Sequence, residues 1–283
     1  MAAEQMGPGE RLRALPWGAM ALISLYVSVA SGIIVALQYQ PGNAYQSVVM
    51  LDQLVAHGAF VRSLHFYASQ AFFLLLIAHF LATTPRFVEM DRAEYLRLTT
   101  VLPVTILLLF TGYVLRADNT GASAGRIAES IILAIPFIGK SCNSLFMAIS
   151  SHGLGRIFLH HLVTLNVLLL LLAWRHLHRY RVGTGDYLWL AALLAMFSAF
   201  VPAPLDPDRL GTVSITGPWF FLGIQEALRY LPTLVAGIGL PAGFFIALAF
   251  LPQYPRAVSR FVFCWLAVWL AIYGALSLVA VWR

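Results

Sequence analysis

The chain has 283 residues, of which 60% are hydrophobic and only 11% are charged. Soluble domains carry about 25% charged residues, so this composition excludes an ordinary soluble protein and predicts an integral membrane protein. The formal net charge of +6 is typical of arginine-rich loops beside lipid headgroups, and no basic, aromatic-interleaved stretch indicates nucleic-acid binding. Cys142 and Cys264 are too few for a four-thiolate iron–sulphur cluster, and neither lies in a CxxCH motif for covalent haem.

Seven apolar runs of roughly 20 residues are long enough to cross a bilayer as helices. Numbered as spans one to seven, they cover residues 17–38, 64–84, 98–116, 158–178, 187–203, 233–252 and 259–281. The connection at 117–157 mixes apolar and polar residues, which predicts one or two amphipathic helices at the membrane interface. We therefore expect an all-α polytopic membrane protein in which residues 1–182 form one part and residues 183–283 form a three-helix second part.

Spans two and four each carry two histidines at nearly equal spacing. His65 and His79 are 14 residues apart, whereas His161 and His176 are 15 apart. A helix advances about 1.5 Å and 100° per residue, so each span places two imidazoles on one side, near opposite membrane surfaces. Pairing the histidines at equal depth, His65 with His161 and His79 with His176, would give two haem irons two axial imidazoles each.

Other interpretations of these histidines compete with haem ligation. An imidazole in hydrocarbon is costly, so its presence favours a functional role over a simple hydrogen-bonding one. A zinc or copper path would need acidic or thiolate companions at the same depth, and these spans contain none. The spacing favours His161 over the adjacent His160, and His176 over His178, but both alternatives stay open.

Two arginines and two glycines fit the same pattern. Arg62 and Arg156 precede the first histidines of spans two and four, where a haem propionate needs a cationic partner. Gly18 and Gly32 in span one are also 14 residues apart, and glycine lets a flat porphyrin approach the backbone. The alternatives are interfacial anchoring for the arginines and helix packing for the glycines.

Five segments give the chain a family resemblance. They are SGIIVALQYQPGNAYQSV in span one, VRSLHFYASQ…IAHF in span two, TGYVL…AIPFIG after span three, RIFLHH…RHLH in span four and PWFFLGIQEALRYLP before span six. In this order they resemble the cytochrome b family of quinol:cytochrome c reductases and its plastid relatives. The 15-residue spacing in span four is similar to the plastid-type branch, and residues 183–283 resemble that branch's separate small subunit, fused on.

The resemblance implies two non-covalent b-type haems in a bundle of spans one to four. It implies a quinol-oxidising pocket near the outer haem and a quinone-reducing pocket near the inner one. The residues that match family positions around the haems are Arg62, Arg156, Gly18, Gly32 and Gly112. The partners implied are a c-type cytochrome, single-haem or multihaem, a Rieske iron–sulphur subunit, quinone and membrane lipid, in a dimeric complex.

The chain departs from the family pattern at the quinol pocket. The family's Pro-Glu-Trp-Tyr motif reads Gly-Pro-Trp-Phe at 217–220, so the proton-accepting glutamate is missing while Trp219 remains. The usual Pro-Trp-Gly after span three reads Arg-Ala-Asp at 116–118. We expect Glu226 or Glu129 to take over the proton role, because a partly buried carboxylate can have a tuned pKa. The alternative is that both glutamates are ordinary interfacial residues.

These features predict a di-haem b subunit that passes electrons between the quinone pool and a cytochrome c or Rieske partner. A second interpretation is a non-bifurcating, quinone-linked electron conduit for another respiratory enzyme. A third, from another class, is a haem-free transporter or membrane scaffold. The arginine bias of the loops places the N-terminus on the cytoplasmic side, and we expect a bacterial inner membrane.

Overall fold

The computed structural model describes residues 7–180, 183, 185–207, 215–251 and 256–282, and every regular element in these ranges is a helix. Their bounds are Pro8–Ala14, Trp17–Gln38, Ala44–Leu54, Gly58–Thr83, Arg92–Thr99, Val101–Leu115, Asn119–Leu133, Gly139–Phe146, Leu154–Leu159, Leu165–Arg179, Leu188–Phe200, Leu222–Ala227, Leu240–Phe250 and Arg256–Trp282. Short 3-10 and π turns extend several of them. The predicted all-α class is confirmed.

Five helical segments are long and apolar enough to cross a membrane: Trp17–Gln38, Gly58–Glu89, Arg92–Leu115, Leu154–Arg179 and Ser259–Trp282. Two shorter apolar helices, Gly185–Phe200 and Val235–Phe250, coincide with predicted spans five and six. The chain is therefore a polytopic membrane protein with helices at all seven predicted positions. The connection after span three contains the helices Asn119–Leu133 and Gly139–Phe146, in agreement with the predicted one or two helices.

The helices group into two compact units, each described by itself. Unit one comprises the described parts of Met1–Tyr39, Gln46–Leu109 and Leu168–Pro204. Unit two comprises those of Gln40–Tyr45, Phe110–Val167 and Leu205–Arg283. The predicted division after residue 182, which lies outside the described residues, stays a prediction about function.

Unit one is built on close packing of Trp17–Gln38 against Gly58–Thr83. Its core includes Ile23, Ala68 and Leu194. Small buried serines on Trp17–Gln38 allow a short distance between the two helices. The hydroxyl of Ser24 donates to the carbonyl of Met20 at 3.0 Å. This hydrogen bond to the carbonyl four residues earlier gives the serine hydroxyl a partner in a place that water does not reach. Because the side chains between the two helices are small, the helix backbones lie close together, and this packing positions the histidines of span two.

Unit two contains two π turns, at His160–Thr164 and Val235–Gly239. The first lies directly before Leu165–Arg179, so the predicted span four is one segment with a local change of winding. The short helix Leu222–Ala227 packs on the last helix of the chain. A Cβ added at Gly223 would lie 2.6 Å from a ring carbon of Tyr273, so this contact requires glycine.

Candidate functional site

The imidazoles of His79 and His176 lie edge to face in unit one. Their ring centroids are 6.0 Å apart and their planes differ by 62°. The Nδ1 of His176 is buried and has no hydrogen-bond partner among the described residues. A Cβ added at Gly18 would lie 3.0 Å from Cε1 of His79, so the glycine makes room for this ring. The structure brings together this pair of predicted ligands.

His65 is held in one orientation within unit one. Its Nδ1–H donates to the carbonyl of Ser28 at 2.8 Å. Because a carbonyl can only accept, Nε2 is the acceptor nitrogen of the neutral ring, the tautomer common among metal-bound histidines. The ring lies against Gly32, where an added Cβ would be only 2.7 Å from Cε1. Sequence analysis did not identify Ser28, although it lies one helical turn before Gly32.

His161 has equivalent surroundings within unit two. Its Nδ1 is 3.0 Å from the hydroxyl of Thr111, and a Cβ added at Gly112 would lie 3.0 Å from its Cε1. The residue also belongs to the π turn, a winding that recurs at functional sites. Thr111 was not predicted as a partner, although its position next to Gly112 was an available signal.

His160 and His178, the alternative haem ligands, have surroundings different from those of His161 and His176. The Nε2 of His160 is 3.1 Å from the carbonyl of Leu145, and its Nδ1 is 3.2 Å from the hydroxyl of Thr164. Both ring nitrogens of His160 are therefore used within unit two. His178 is exposed and stacks on Trp174 with 6.5 Å between ring centroids. These contacts favour His161 and His176 over their neighbours.

The two predicted propionate partners already have protein contacts. Arg62 is buried and forms a bidentate ion pair with Asp52, with nitrogen–oxygen distances of 2.7 and 2.6 Å. It also donates to the carbonyl of Ala203 at 2.8 Å. Arg156 donates to the carbonyl of Ser144. Any anion at Arg62 would have to share a guanidinium that holds two segments of unit one together.

A second group of charges lies near the His79–His176 pair. Arg179, three residues after His176, forms an ion pair with Glu94 at 3.2 Å. Arg97, one helical turn after Glu94, has a buried Nε with no hydrogen-bond partner among the described residues. Sequence analysis did not single out Arg97. This N–H could donate to a carboxylate near the His79–His176 pair.

The segment that replaces the family's quinol motif borders a small cleft in unit two. The cleft has a volume of about 20 Å³, and its walls include Phe110, Thr120, Pro218, Phe221 and Gln225. A cavity of this size holds a water molecule, so a quinone ring would require the walls to separate. Gln225 accepts from the backbone N–H of Gly217 at 2.7 Å and fixes the wall. Trp219 is 49% exposed and does not line the cleft.

The two candidate proton acceptors differ in their surroundings. Glu226 is 1% exposed, accepts from the hydroxyl of Tyr230 at 2.7 Å and pairs with Arg229 at 3.2 Å. Glu129 accepts from the amide of Asn143 at 2.9 Å and from the N–H and hydroxyl of Ser150 at 3.0 and 2.6 Å. Burial by itself would raise the pKa of Glu129, but these hydrogen bonds outweigh it and lower the pKa below the usual carboxyl value. Glu129 therefore has the environment of a structural carboxylate.

Comparison with known proteins places these features in a family. The family described as Cytochrome b/b6/petB matches residues 6–182, which is more than half of the chain. The chain belongs to the cytochrome b/b6 family. Cytochrome b6 of Heliobacterium mobile is 27% identical over 155 residues, covering 52% of this chain and 73% of the relative. Cytochrome b of Chondrus crispus is 25% identical over 281 residues, covering 83% and 72%.

The fold agrees with this membership. A solved chain from a hyperthermophilic respiratory complex III superposes with a TM-score of 0.68 at 18% identity, covering 94% of this chain and 83% of that chain. Membership makes this cytochrome b a b-type haem protein of membrane electron transport and a subunit of a redox complex. The family resemblance is thereby confirmed, whereas the fused small-subunit character of residues 183–283 stays a prediction.

The residues present fit a b-type haem. Two imidazoles bound to one metal, each nitrogen about 2 Å from it, have ring centres roughly 6 Å apart. The His79–His176 separation of 6.0 Å matches this requirement. Gly18, Gly32 and Gly112 each leave the space of a missing side chain beside a predicted ligand. The glycines were expected to admit the porphyrin, and the structure places the imidazole ring itself against them.

Proposed function

We propose that this cytochrome b binds two haems, one through His65 and His161 and one through His79 and His176. It would pass electrons across the bilayer between a quinone pool and a partner protein. The approach of His79 to His176, with 6.0 Å between ring centroids, is the observation on which the proposal depends. Bound haem would supply a one-electron redox couple whose potential depends on its ligands, burial and hydrogen bonds.

The protein's own contribution is the orientation of these ligands. The Ser28 carbonyl and the Thr111 hydroxyl lie at hydrogen-bond distance from the Nδ1 atoms of His65 and His161. Such outer partners fix the tautomer and raise the basicity of the ligand. Arg97 offers a buried donor for a propionate near the inner pair, and Arg62 and Arg156 stay candidates for the outer one.

The partner that completes the path is a c-type cytochrome, single-haem or multihaem, a Rieske subunit, or both. A chain of similar fold belongs to a hyperthermophilic respiratory complex III, which supports a multisubunit arrangement. The dimeric state of that complex is part of the proposal. We assign haem binding to residues 1–182, and quinone-site and partner contacts to residues 183–283. The N-terminus would face the cytoplasm of a bacterial inner membrane, by the arginine bias of the loops.

One observation favours a second function. The segment at 217–220 lacks the glutamate of the family's quinol motif, so the chain can instead be a quinone-linked electron conduit without bifurcation. An inhibitor of the quinone-reducing pocket discriminates the two functions. Extra haem reduction on addition of an oxidant in the presence of the inhibitor indicates bifurcation, and its absence indicates the conduit.

Haem content tests the proposal. The purified protein should show a reduced-minus-oxidised b-type spectrum with two haems per chain. Alanine substitution of any of the four ligands should remove one of the two haems, whereas the exposed His178→Ala should keep both. A ligand variant with full haem content would exclude that histidine, and a wild-type protein without haem after haem-replete expression would exclude the function.

A further inference from the structure

The segment that replaces the family's Pro-Trp-Gly forms a charged cluster with Asp206 in unit two. Asp118, whose side chain is fully buried, caps the helix Asn119–Leu133 by accepting from the N–H of Gly121 at 2.9 Å. It also accepts from Nε of Arg116 and from the N–H of Asp206, both at 3.0 Å. Asp118 is thus a saturated structural carboxylate that ties the segment replacing Pro-Trp-Gly to the loop at 206.

The carboxylate of Asp206 is less tightly bound. Its Oδ2 accepts from the backbone N–H of Thr120 at 3.0 Å, while its Oδ1 is 4.0 Å from the guanidinium of Arg116. The side chain is 30% exposed, in contrast to the fully buried Asp118. The hydroxyl of Tyr45 donates to the Asp206 carbonyl at 3.0 Å and holds the backbone in place. This carboxylate therefore has a fixed position and access to water, and among the described residues its Oδ1 has only the 4.0 Å contact with Arg116.

Thr120 connects this carboxylate to the cleft. The residue lines the cleft together with Pro218, which occupies the position of the missing glutamate. The cleft's volume of about 20 Å³ is enough for one water molecule beside the threonine. Asp206 does not itself line the cleft, but its Oδ2 accepts from the backbone N–H of this lining residue at 3.0 Å, so the carboxylate lies directly behind the wall at Thr120.

We propose that Asp206 is the proton acceptor for quinol oxidation in this protein, acting across Thr120 in place of the missing glutamate. This inference rests on the proposed quinol oxidation. Both quinol O–H bonds break: one proton passes beside Thr120 to form an O–H bond on Asp206 and the other leaves to water. The two electrons would go one each to the b-type haem and to the redox partner of the proposed function. The exposed carboxyl then releases the proton to water.

The two glutamates fit this role less well. Like Asp206, Glu226 does not line the cleft, but it is only 1% exposed and is bound by Arg229 and Tyr230. Glu129 uses both oxygens to accept three hydrogen bonds from Asn143 and Ser150. Neither has the combination of cleft proximity and solvent access that Asp206 has.

The substitution Asp206→Asn tests the proposal, because its amide oxygen can still accept from the Thr120 N–H while the basic carboxylate is lost. Haem reduction by a soluble quinol analogue is measured in the membrane-embedded complex by stopped flow. We expect a slowing of at least about 10-fold, since a positioned base contributes 10²–10⁴-fold. Asp206→Glu should stay within about 3-fold of wild type, and the exposed Asp186→Asn serves as the matched control.

A pH profile separates proton transfer from a structural effect. Charged and titratable groups around Asp206 include Arg116, Asp118 and Tyr113, and all of them are retained in the variant. Asp206→Asn should therefore abolish one limb of the rate–pH curve while haem spectra and melting temperature stay unchanged. If the Asp206→Asn variant is reduced at the wild-type rate at every pH, this inference is overturned while the proposed function stands. A wild-type complex that is not reduced by any quinol would overturn the proposed function as well.

Discussion

Substitution of Gly32 by alanine should lower haem binding through a single methyl group. A Cβ at this position would lie 2.7 Å from Cε1 and 2.8 Å from Nδ1 of His65. Real Cβ atoms keep roughly 3.4 Å or more from such neighbours, so the ring has to move by more than half an ångström. That movement disrupts the 2.8 Å hydrogen bond from Nδ1 to the Ser28 carbonyl, which fixes the tautomer.

The magnitude follows from the energetics of overpacking. An extra methyl in a close-packed site costs about 1–3 kcal/mol. If this cost falls on haem binding, the affinity of the His65 site drops roughly 5- to 150-fold, because 1.4 kcal/mol is a factor of ten. The contacts at Gly18 and Gly112 begin at 3.0 Å, so Gly18→Ala and Gly112→Ala should have smaller effects.

Haem content per chain after purification measures this effect, read from the pyridine haemochrome spectrum and from the rate of haem transfer to apomyoglobin. Gly274→Ala is the matched control, because this glycine lies in a long apolar helix and its added Cβ would meet nothing within 4 Å. The order of haem loss should be Gly32, then Gly18 and Gly112, then Gly274. Equal haem retention in Gly32→Ala and Gly274→Ala would refute the reasoning.

Three further predictions concern the surrounding residues. Glu129→Gln should destabilise the protein by about 1–3 kcal/mol at neutral pH, because the amide keeps one acceptor oxygen and replaces the other with an NH2 group that cannot accept. Since the folded-state pKa of Glu129 is lowered, its contribution is present above the unfolded-state pKa and is lost as the pH falls through the folded-state value. Melting curves from pH 7 to 3 should therefore converge for the two proteins, and a constant difference would contradict this. Arg62→Ala should cost roughly 3 kcal/mol in melting experiments by leaving Asp52 unpaired in a largely buried site; an unchanged melting temperature would exclude a structural role. His160→Ala and His178→Ala should each retain two haems by spectroscopy, and loss of one haem in either would transfer the ligand assignment to it.

The transmembrane architecture could be predicted because it depends on local sequence. A run of apolar residues reports burial in lipid whatever its tertiary neighbours are, and all seven predicted spans contain helices. Spans five and six were predicted from the same signal, and their helices, Gly185–Phe200 and Val235–Phe250, are shorter than the other five. The histidine spacing was equally local, and it selected His79 and His176, which the fold brings to a distance suited to one metal.

The surroundings of the site could not be predicted, because they depend on residues distant in sequence. Asp206 meets Asp118 from 88 positions away, and no local pattern marks that contact. Arg62 was expected to face an anion, yet it pairs with Asp52 across a turn between two helices. The sequence shows which residues are charged, but tertiary packing determines which residue pairs with each of them.

The π turn at His160–Thr164 has a consequence for the unequal histidine spacings. A π turn closes its hydrogen bond one residue later than an α turn, so it absorbs one residue without adding a turn. The 15 residues from His161 to His176 thus advance the helix by about the same rotation as the 14 from His65 to His79. Two helices whose histidines are 14 and 15 residues apart can in this way have the same angle between their histidines around the helix axis. Deleting a single residue inside that turn would rewind it to an α-helix and preserve the alignment, whereas an insertion of equal size in span two would destroy it.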